Sequence, residues 1–320
     1  GYDNIPSASL EGNATAGVKT DKQKFIDNVK SNSIACGLNE ILTYSFVSPR
    51  GVDKINLPAN DEKRNFVKIM NPLGEETSVM RTTLIPNMLD VISTNISHKV
   101  EEVSAFECGN TFIPQEGLPI ETKKYCVGMY GKEVDFFVLK GVIESVLNNV
   151  GLKGYEIEPE TTNLTFHPGR CAKIVYNNIY IGTFGELHPD VIENYNLGQR
   201  VYVAEINIDT VFENLNLTKS YNPLPKYPST SRDIALIVKD EVFVKQIEDI
   251  IKANGEDLVE SYKLFDVYKG AQIEEGHKSI AYSITYRSKD KTLIDEDVAK
   301  VHEKILSELS EKLNANLRSN

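Results

Sequence analysis

Asp266 and Tyr268 lie two residues apart in the run Leu264-Phe265-Asp266-Val267-Tyr268. The run is rich in aromatic and apolar residues and predicts a strand. A period of two then puts Asp266 and Tyr268 on one sheet face, opposite Phe265 and Val267. An aromatic ring beside a carboxylate on an open sheet suits a splayed-out RNA base: the ring stacks, and the carboxylate reads a base edge. The spacing is equally compatible with Tyr268 capping the sheet while Asp266 pairs with Lys269 or Lys278.

Two histidine sites have the look of motifs, His167-Pro168-Gly169-Arg170 and Glu186-Leu187-His188-Pro189. Each histidine precedes a proline, and backbone restriction alone explains a turn at such a site. A ligand or RNA contact is the alternative. Glu186 and His188 would share a strand face, but two groups are too few for a zinc site. The chain has no GxxxxGK[ST] loop, no GxGxxG opening a helix and no GxSxG elbow. Cys36, Cys108, Cys126 and Cys171 form no CxxC pair and have no histidine at metal-ligand spacing. They read as buried free thiols in a reducing compartment, the cytoplasm.

The elements around Asp266 and Tyr268 follow a recognisable order. Arg232 to Lys239 predicts a strand, and Val244, Ile247, Ile250 and Ile251 mark a helix. The strand Leu258 to Tyr268 is followed by a second, Ser279 to Arg287, with alternating Ile280, Tyr282, Ile284 and Tyr286. A long helix, Asp295 to Leu313, and a short strand at Ala315 to Arg318 complete a βαββαβ, ferredoxin-like pattern. Ahead of it, Tyr221 to Pro228 holds three prolines and reads as a linker.

The first two thirds predict an α+β domain with a mostly antiparallel sheet. Thr20 to Gln23 has capping-box spacing and opens a helix closed by Gly37. Leu42, Tyr44 and Phe46 alternate with Thr43 and Ser45, a strand with one wet face. After the Asn71 to Gly74 turn, Pro86 begins a helix carrying Met88, Leu89, Ile92 and Ile96. Strands follow at Val103 to Phe106 and Lys124 to Tyr130, a helix at Phe136 to Val150, a hairpin turning at Asn177-Asn178, and a strand at Arg200 to Ile208. The division is then 1–215, a linker at 216–229, and 230–320.

At 320 residues the chain is long enough for two domains. No apolar run approaches the roughly 20 residues of a membrane helix. The start, Gly1-Tyr2-Asp3-Asn4, has no apolar stretch of a secretory leader, and a first residue other than Met suggests a piece of a longer protein. The net charge of −11 weighs against bulk nucleic-acid binding, but only −3 of it falls after residue 220, where a local basic face could survive.

The ordered set of short motifs resembles the β subunit of bacterial phenylalanyl-tRNA synthetase over nearly the whole chain. It comprises Gly1-Tyr2-Asp3-Asn4-Ile5-Pro6, Asn71-Pro72-Leu73, Ser78 to Thr82, Phe106-Glu107-Cys108-Gly109, His167 to Arg170, Gly185 to Pro189, Tyr227-Pro228, Arg232 to Ala235, Leu264 to Tyr268, Glu275 to Ser279, Leu293 with Asp295-Glu296, and Leu317-Arg318. The resemblance implies a class II synthetase-like fold without catalysis, then a ferredoxin-fold anticodon-binding domain. It implies an (αβ)₂ heterotetramer that joins phenylalanine to its tRNA, with ATP and magnesium held by the α subunit and no cofactor in this part. Phe106 stands before Glu107 where active relatives carry an arginine, and Val201 to Phe212 lacks the glycines and arginine of their third motif.

By the same resemblance Asp266, Tyr268 and Ser279 contact the first anticodon base, and Ala235 packs close to it. Arg232, Lys269 and Lys278 are candidates for phosphate contacts. The segment from Arg81 to His98, with Met88 and Ile92, is expected to pack on the α subunit. No editing domain is matched. Two other readings stay open: a free-standing class II-like adenylating enzyme, and a structural assembly module whose ferredoxin-like domain binds protein.

Overall fold

The computed structural model describes residues 1–9, 12, 16–215, 221, 223–270 and 272–318. The chain divides into two compact units, Gly1–Thr218 and Lys219–Asn320. Of the linker expected at 216–229, residues 216–220 and 222 lie outside the described residues, and the others have no helix or strand.

The first unit contains α1 (Asp21–Ala35), β1 (Asn39–Glu40), β2 (Phe46–Val47), α2 (Gly51–Lys54), β3 (Val79–Met80), α3 (Ile85–Ser97), β4 (Val103–Ile113) and β5 (Ile120–Tyr130). It continues with α4 (Phe136–Val150), β6 (Glu156–Pro159), β7 (Phe166–Tyr176), β8 (Ile179–Leu187), α5 (Pro189–Asn194), β9 (Tyr202–Asn207) and α6 (Ile208–Glu213). Seven strands form one sheet in the order β1-β4-β5-β9-β8-β7-β6. Neighbours are antiparallel except β1 and β4, so the sheet is mixed.

Helices cover both sheet faces. On one face α1 buries Phe25 and Val29, and α4 buries Leu139, Ile143, Val146 and Val150. Each such aliphatic or aromatic side chain contributes about 1.5–3 kcal/mol by leaving water. The capping box of α1 forms as its spacing predicts: Gln23 N donates to Thr20 Oγ1 at 3.2 Å, and Thr20 N donates to Gln23 Oε1 at 2.8 Å. On the other face α3 lays Met88 and Ile92 directly on Gly128 of β5. A Cβ there would come within 2.5 Å of Met88 Cγ and 2.8 Å of Ile92 Cδ1. The start of α3 is tied down by Glu205 of β9, whose Oε1 accepts from Leu84 N at 2.7 Å and Thr83 Oγ1 at 2.6 Å.

The expected strand with one wet face at 42–46 is corrected. Only Asn39–Glu40 and Phe46–Val47 are strand, and the alternation is inverted. Thr43 turns inward, donating from Oγ1 to Glu107 Oε2 at 2.7 Å and accepting from Arg81 Nη1 at 2.8 Å. Leu42 and Tyr44 therefore turn outward and are 83% and 81% exposed. A buried ion pair, Arg81 Nη1 to Glu107 Oε1 at 2.8 Å, outranks apolar burial here because a hidden charge without partners is so costly.

The two histidine motifs form one structural device. Register runs from Phe166↔Leu187 to Cys171↔Gly185, so residues 167–170 oppose Glu186 alone in a wide bulge. The bulge closes against Gly185, where a Cβ would stand 2.4 Å from the Arg170 carbonyl oxygen. Arg170 Nη1 donates to buried Glu186 at 2.7 Å. His167 Nδ1 accepts from Gly169 N at 3.0 Å, and His188 Nδ1 caps α5 by accepting from Asp190 N at 3.2 Å. Both rings therefore serve backbone turns.

The second unit is built from β10 (Thr230–Lys239), α7 (Val244–Asn254), β11 (Val259–Tyr268), β12 (His277–Tyr286), α8 (Asp295–Leu313) and β13 (Asn316–Leu317). Its sheet order β11-β12-β10-β13 is the ferredoxin-like arrangement the βαββαβ pattern predicts. Ile234, Leu236 and Val238 of β10 and Ile280, Tyr282, Ile284 and Tyr286 of β12 face both helices. They meet Ile247, Ile250 and Ile251 of α7 and Val298, Val301, Ile305 and Leu309 of α8. Acidic Asp295, Glu296 and Asp297 fill the first turn of α8, where the helix dipole favours them. Among the described residues of this unit, the other sheet face carries no helix.

Candidate nucleic-acid interface

That helix-free face brings together the four residues expected at a base. Tyr268 of β11 stands opposite Ser279 of β12, which stands opposite Ile237 of β10. One row away, Asp266, Ala281 and Ala235 line up in the same order. A bulge makes this possible. Leu264 pairs with Tyr282 on the helix side, and the next pair is Asp266 with Ala281, leaving Phe265 unpaired. Leu264 and Asp266 would share a face in a regular strand. The extra residue turns Asp266 and Tyr268 to the open side.

Asp266 is exposed and makes no hydrogen bond or ion pair among the described residues. The alternative pairing with Lys269 or Lys278 does not form. Lys269 Nζ is 2.6 Å from the Asp240 carboxylate, and Lys278 Nζ donates to the Asp240 carbonyl at 2.8 Å. These two lysines thus meet at the Asp240 turn, at the Tyr268 end of the sheet. Burial lowers the Lys278 ammonium below its ordinary value, and Lys269 lowers it further against the pull of Asp240.

Arg232 is a correction. Its register partner is Ile284, which faces the helices, and Arg232 Nη2 binds Asp295 of α8 at 2.7 Å. Arg232 and Ala235 are three apart, so a regular strand cannot show both on one face. It is not part of this surface.

Arg318 belongs to this surface, although spacing gives no sign of it. Its N donates to the Ala235 carbonyl at 2.9 Å, its Nη2 to Gln272 Oε1 at 3.1 Å, and its guanidinium carbon lies 5.7 Å from the Tyr268 ring centroid. Cation and ring are within cation–π range.

In the first unit, the subunit-interface candidates are mostly internal. Met88 and Ile92 are fully buried against the chain's own sheet, and Arg81 is held by Glu107, Thr43 and the Asn110 carbonyl. Only His98 is exposed, its Nδ1 bonded to the Thr94 carbonyl at 2.7 Å. An open groove of about 940 Å³ lies between the outward residues Leu42, Tyr44 and Phe46 and the exposed flank of α3 at Asp90 and Thr94. Asn87 in its wall donates to the Tyr44 carbonyl at 3.1 Å, while its buried Oδ1 has no hydrogen-bond partner among the described residues. Phe106 is wholly buried and Glu107 is neutralised by Arg81, so neither group is presented to a phosphate.

The family described as phenylalanyl tRNA synthetase beta chain CLM domain matches residues 5–208. The chain belongs to this family. A second family, the ferredoxin-fold anticodon binding domain, matches residues 225–318 of this synthetase β-chain sequence. The chain is 45% identical to the phenylalanine–tRNA ligase beta subunit of Clostridium tetani over 99% of its own length and 40% of the relative's. Identity to the Listeria monocytogenes subunit is 37% over the same shares. The chain thus spans about 40% of the length of these relatives. A solved pyrrolysyl tRNA synthetase from Desulfitobacterium hafniense superposes with a TM-score of 0.50 at 12% identity, covering 63% of this chain and 74% of that one. That likeness concerns the fold alone.

Proposed function

We propose that this chain is the part of a phenylalanine–tRNA ligase β subunit that docks the catalytic α subunit and binds the tRNA anticodon, supporting ATP-dependent attachment of phenylalanine to its tRNA. The observation that carries the reading is the open face of the second unit, where unpaired Asp266 stands beside Tyr268, with Ser279 and small Ala235 in the adjoining strands. The Tyr268 ring stacks on a splayed base. The Asp266 carboxylate accepts from that base's N–H edge, and a hydrogen bond to a charged group is worth about 1.5–3 kcal/mol. Ser279 supplies a hydroxyl, and Ala235 leaves room for a flat ring. Lys269 and Lys278 take the phosphates near the Asp240 turn, which positions the RNA without reading it.

Docking on α falls to the groove edged by Leu42, Tyr44 and Phe46 rather than to Met88 and Ile92. Large apolar side chains held outward by a buried ion pair behind them are what an assembly surface requires. The working enzyme is an (αβ)₂ heterotetramer of the cytoplasm. In this reading ATP and magnesium are held by the α subunit, and the pairing of Glu107 with Arg81 and the burial of Phe106 support it.

Footprinting of phenylalanine tRNA with a single-strand nuclease tests the anticodon role. Protection of the anticodon loop by the chain is expected. Protection confined to the acceptor stem, or none, would overturn it.

A further inference from the structure

The face that suits a base is covered at its centre. Ser279 and Ala281 lie on the helix-free side, yet they are only 2% and 7% exposed. Arg318 reaches onto this face. It leaves the chain at β13, one edge of the sheet, with its N–H bound to Ala235 of β10. Tyr268 stands on β11, the opposite edge, three strand spacings or about 14 Å away. The guanidinium nevertheless reaches within 5.7 Å of the Tyr268 ring centroid and bonds Gln272, while the hydroxyl end of Tyr268 packs on Gly270 in the turn that follows β11. Arg318 is anchored in the row of Ala235 and Ala281, next to the row of Tyr268 and Ser279.

We propose that Arg318 and Tyr268 form a strap, latched by Gln272, that covers the base-binding face until an RNA base displaces it. The inference rests on the anticodon reading for its ligand but not for its geometry. Opening breaks one charge-assisted hydrogen bond to an exposed amide and one cation–π contact but no strand pairing, so the strap yields to a base without unfolding any strand. Once released, the guanidinium regains free N–H groups beside the RNA and the ring regains a bare face for stacking. Asp266 stays exposed throughout and offers the first contact.

Thiol labelling reads the strap without RNA. Ser279→Cys is introduced in a chain whose half-exposed Cys36 is changed to Ser; the other three cysteines are buried. Labelling is expected to be slow in this parent, about ten-fold faster with Arg318→Ala, and a few-fold faster with Gln272→Ala, as loss of one or both weak contacts predicts. Equal rates in parent and Arg318→Ala would overturn the strap, and so would fast labelling of the parent. In parallel, the association rate of phenylalanine tRNA should rise a few-fold with Gln272→Ala in an otherwise unchanged chain. Faster labelling with no binding of the tRNA by any variant would leave the strap standing and remove the anticodon reading. Tight tRNA binding with no change in labelling would do the reverse.

Discussion

Tyr268 and Ser279 stand directly opposite each other across β11 and β12 on the sheet face turned away from α7 and α8. The pairing depends on the bulge at Phe265. Without it, the pattern that buries Tyr262 and Leu264 under the helices would bury Asp266 and Tyr268 in part of its own register. A single unpaired residue thus converts a structural strand into a binding strand. Edge strands are also where such a bulge discourages pairing with another chain.

Asp266 should carry discrimination rather than bulk affinity. Asp266→Ala is expected to weaken binding of the cognate phenylalanine tRNA by about 1.5–3 kcal/mol. It should change binding of a tRNA with an altered first anticodon base much less. Filter binding of both RNAs to both proteins checks this. An equal loss for the two RNAs would mean that Asp266 acts only on folding or on the field.

The Arg81–Glu107 pair should behave as a buried ion pair. Removing one partner, in Arg81→Ala, strands a carboxylate that is almost wholly inside, at a cost of about 3–5 kcal/mol. Replacing both with apolar residues of similar size, Arg81→Met with Glu107→Leu, should recover most of that loss. Urea unfolding of the parent and the two variants measures it. A double variant no better than the single one would show that Thr43 and the Asn110 carbonyl, not the pair itself, set the cost.

Leu42 and Tyr44 should matter for assembly and not for folding. Changing both to Ser removes exposed apolar surface, so the unfolding free energy should move by no more than about 0.5 kcal/mol. Co-purification with the α subunit should fall sharply. The exposed helix position Thr94→Ser serves as a conservative control on the same groove. Undiminished co-purification would move the docking surface elsewhere.

His302 should make the second unit lose stability in mild acid. Burial first, then the charge of Arg232, lowers its pKa, with Glu303 opposing. Its Nδ1 lies 2.9 Å from the Tyr286 hydroxyl oxygen, on the inner side of the sheet. The fold therefore favours the neutral ring. This contribution is complete above about pH 6.5, the ordinary histidine value, and is lost as pH falls from there through the lower folded value. Thermal unfolding followed from pH 7.5 to 5 should show the decline, and His302→Gln should flatten it. An unchanged slope would assign the pH dependence to other groups.

Much of this was legible in the sequence because it rests on periodicity. The βαββαβ order follows from helix stripes such as Val298, Val301, Ile305 and Leu309 and from the alternation Ile280, Tyr282, Ile284, Tyr286. The capping box at Thr20 and the apolar face of α4 appear where their patterns place them. What was not legible depends on tertiary contacts. Nothing local says that Thr43 will seek Arg81 and Glu107 and so turn Leu42 and Tyr44 outward. Nothing local says that Arg318 will meet Tyr268, 50 positions back. The bulge at Phe265 leaves no turn residue to announce it. The HPGR run reads as a turn but is folded into a strand, because Gly185 on the neighbouring strand lets the extra residues close. Arg232 and Lys278 both have the wrong parity for this face: Arg232 is three positions from Ala235, and Lys278 is next to Ser279 and opposite helix-facing Val238.

The central claim is that the open sheet face reads an anticodon base, and binding of labelled phenylalanine tRNA tests it most directly. The chain and its Tyr268→Ala variant are compared on the cognate tRNA and on a transcript with a changed anticodon, at two salt concentrations. The account predicts preference for the cognate anticodon at both salts and a loss of about 1–3 kcal/mol on Tyr268→Ala, the value of one base stack. Equal, weak binding of both RNAs, unmoved by Tyr268→Ala and abolished by salt, would contradict it and leave this part of the protein an assembly element alone.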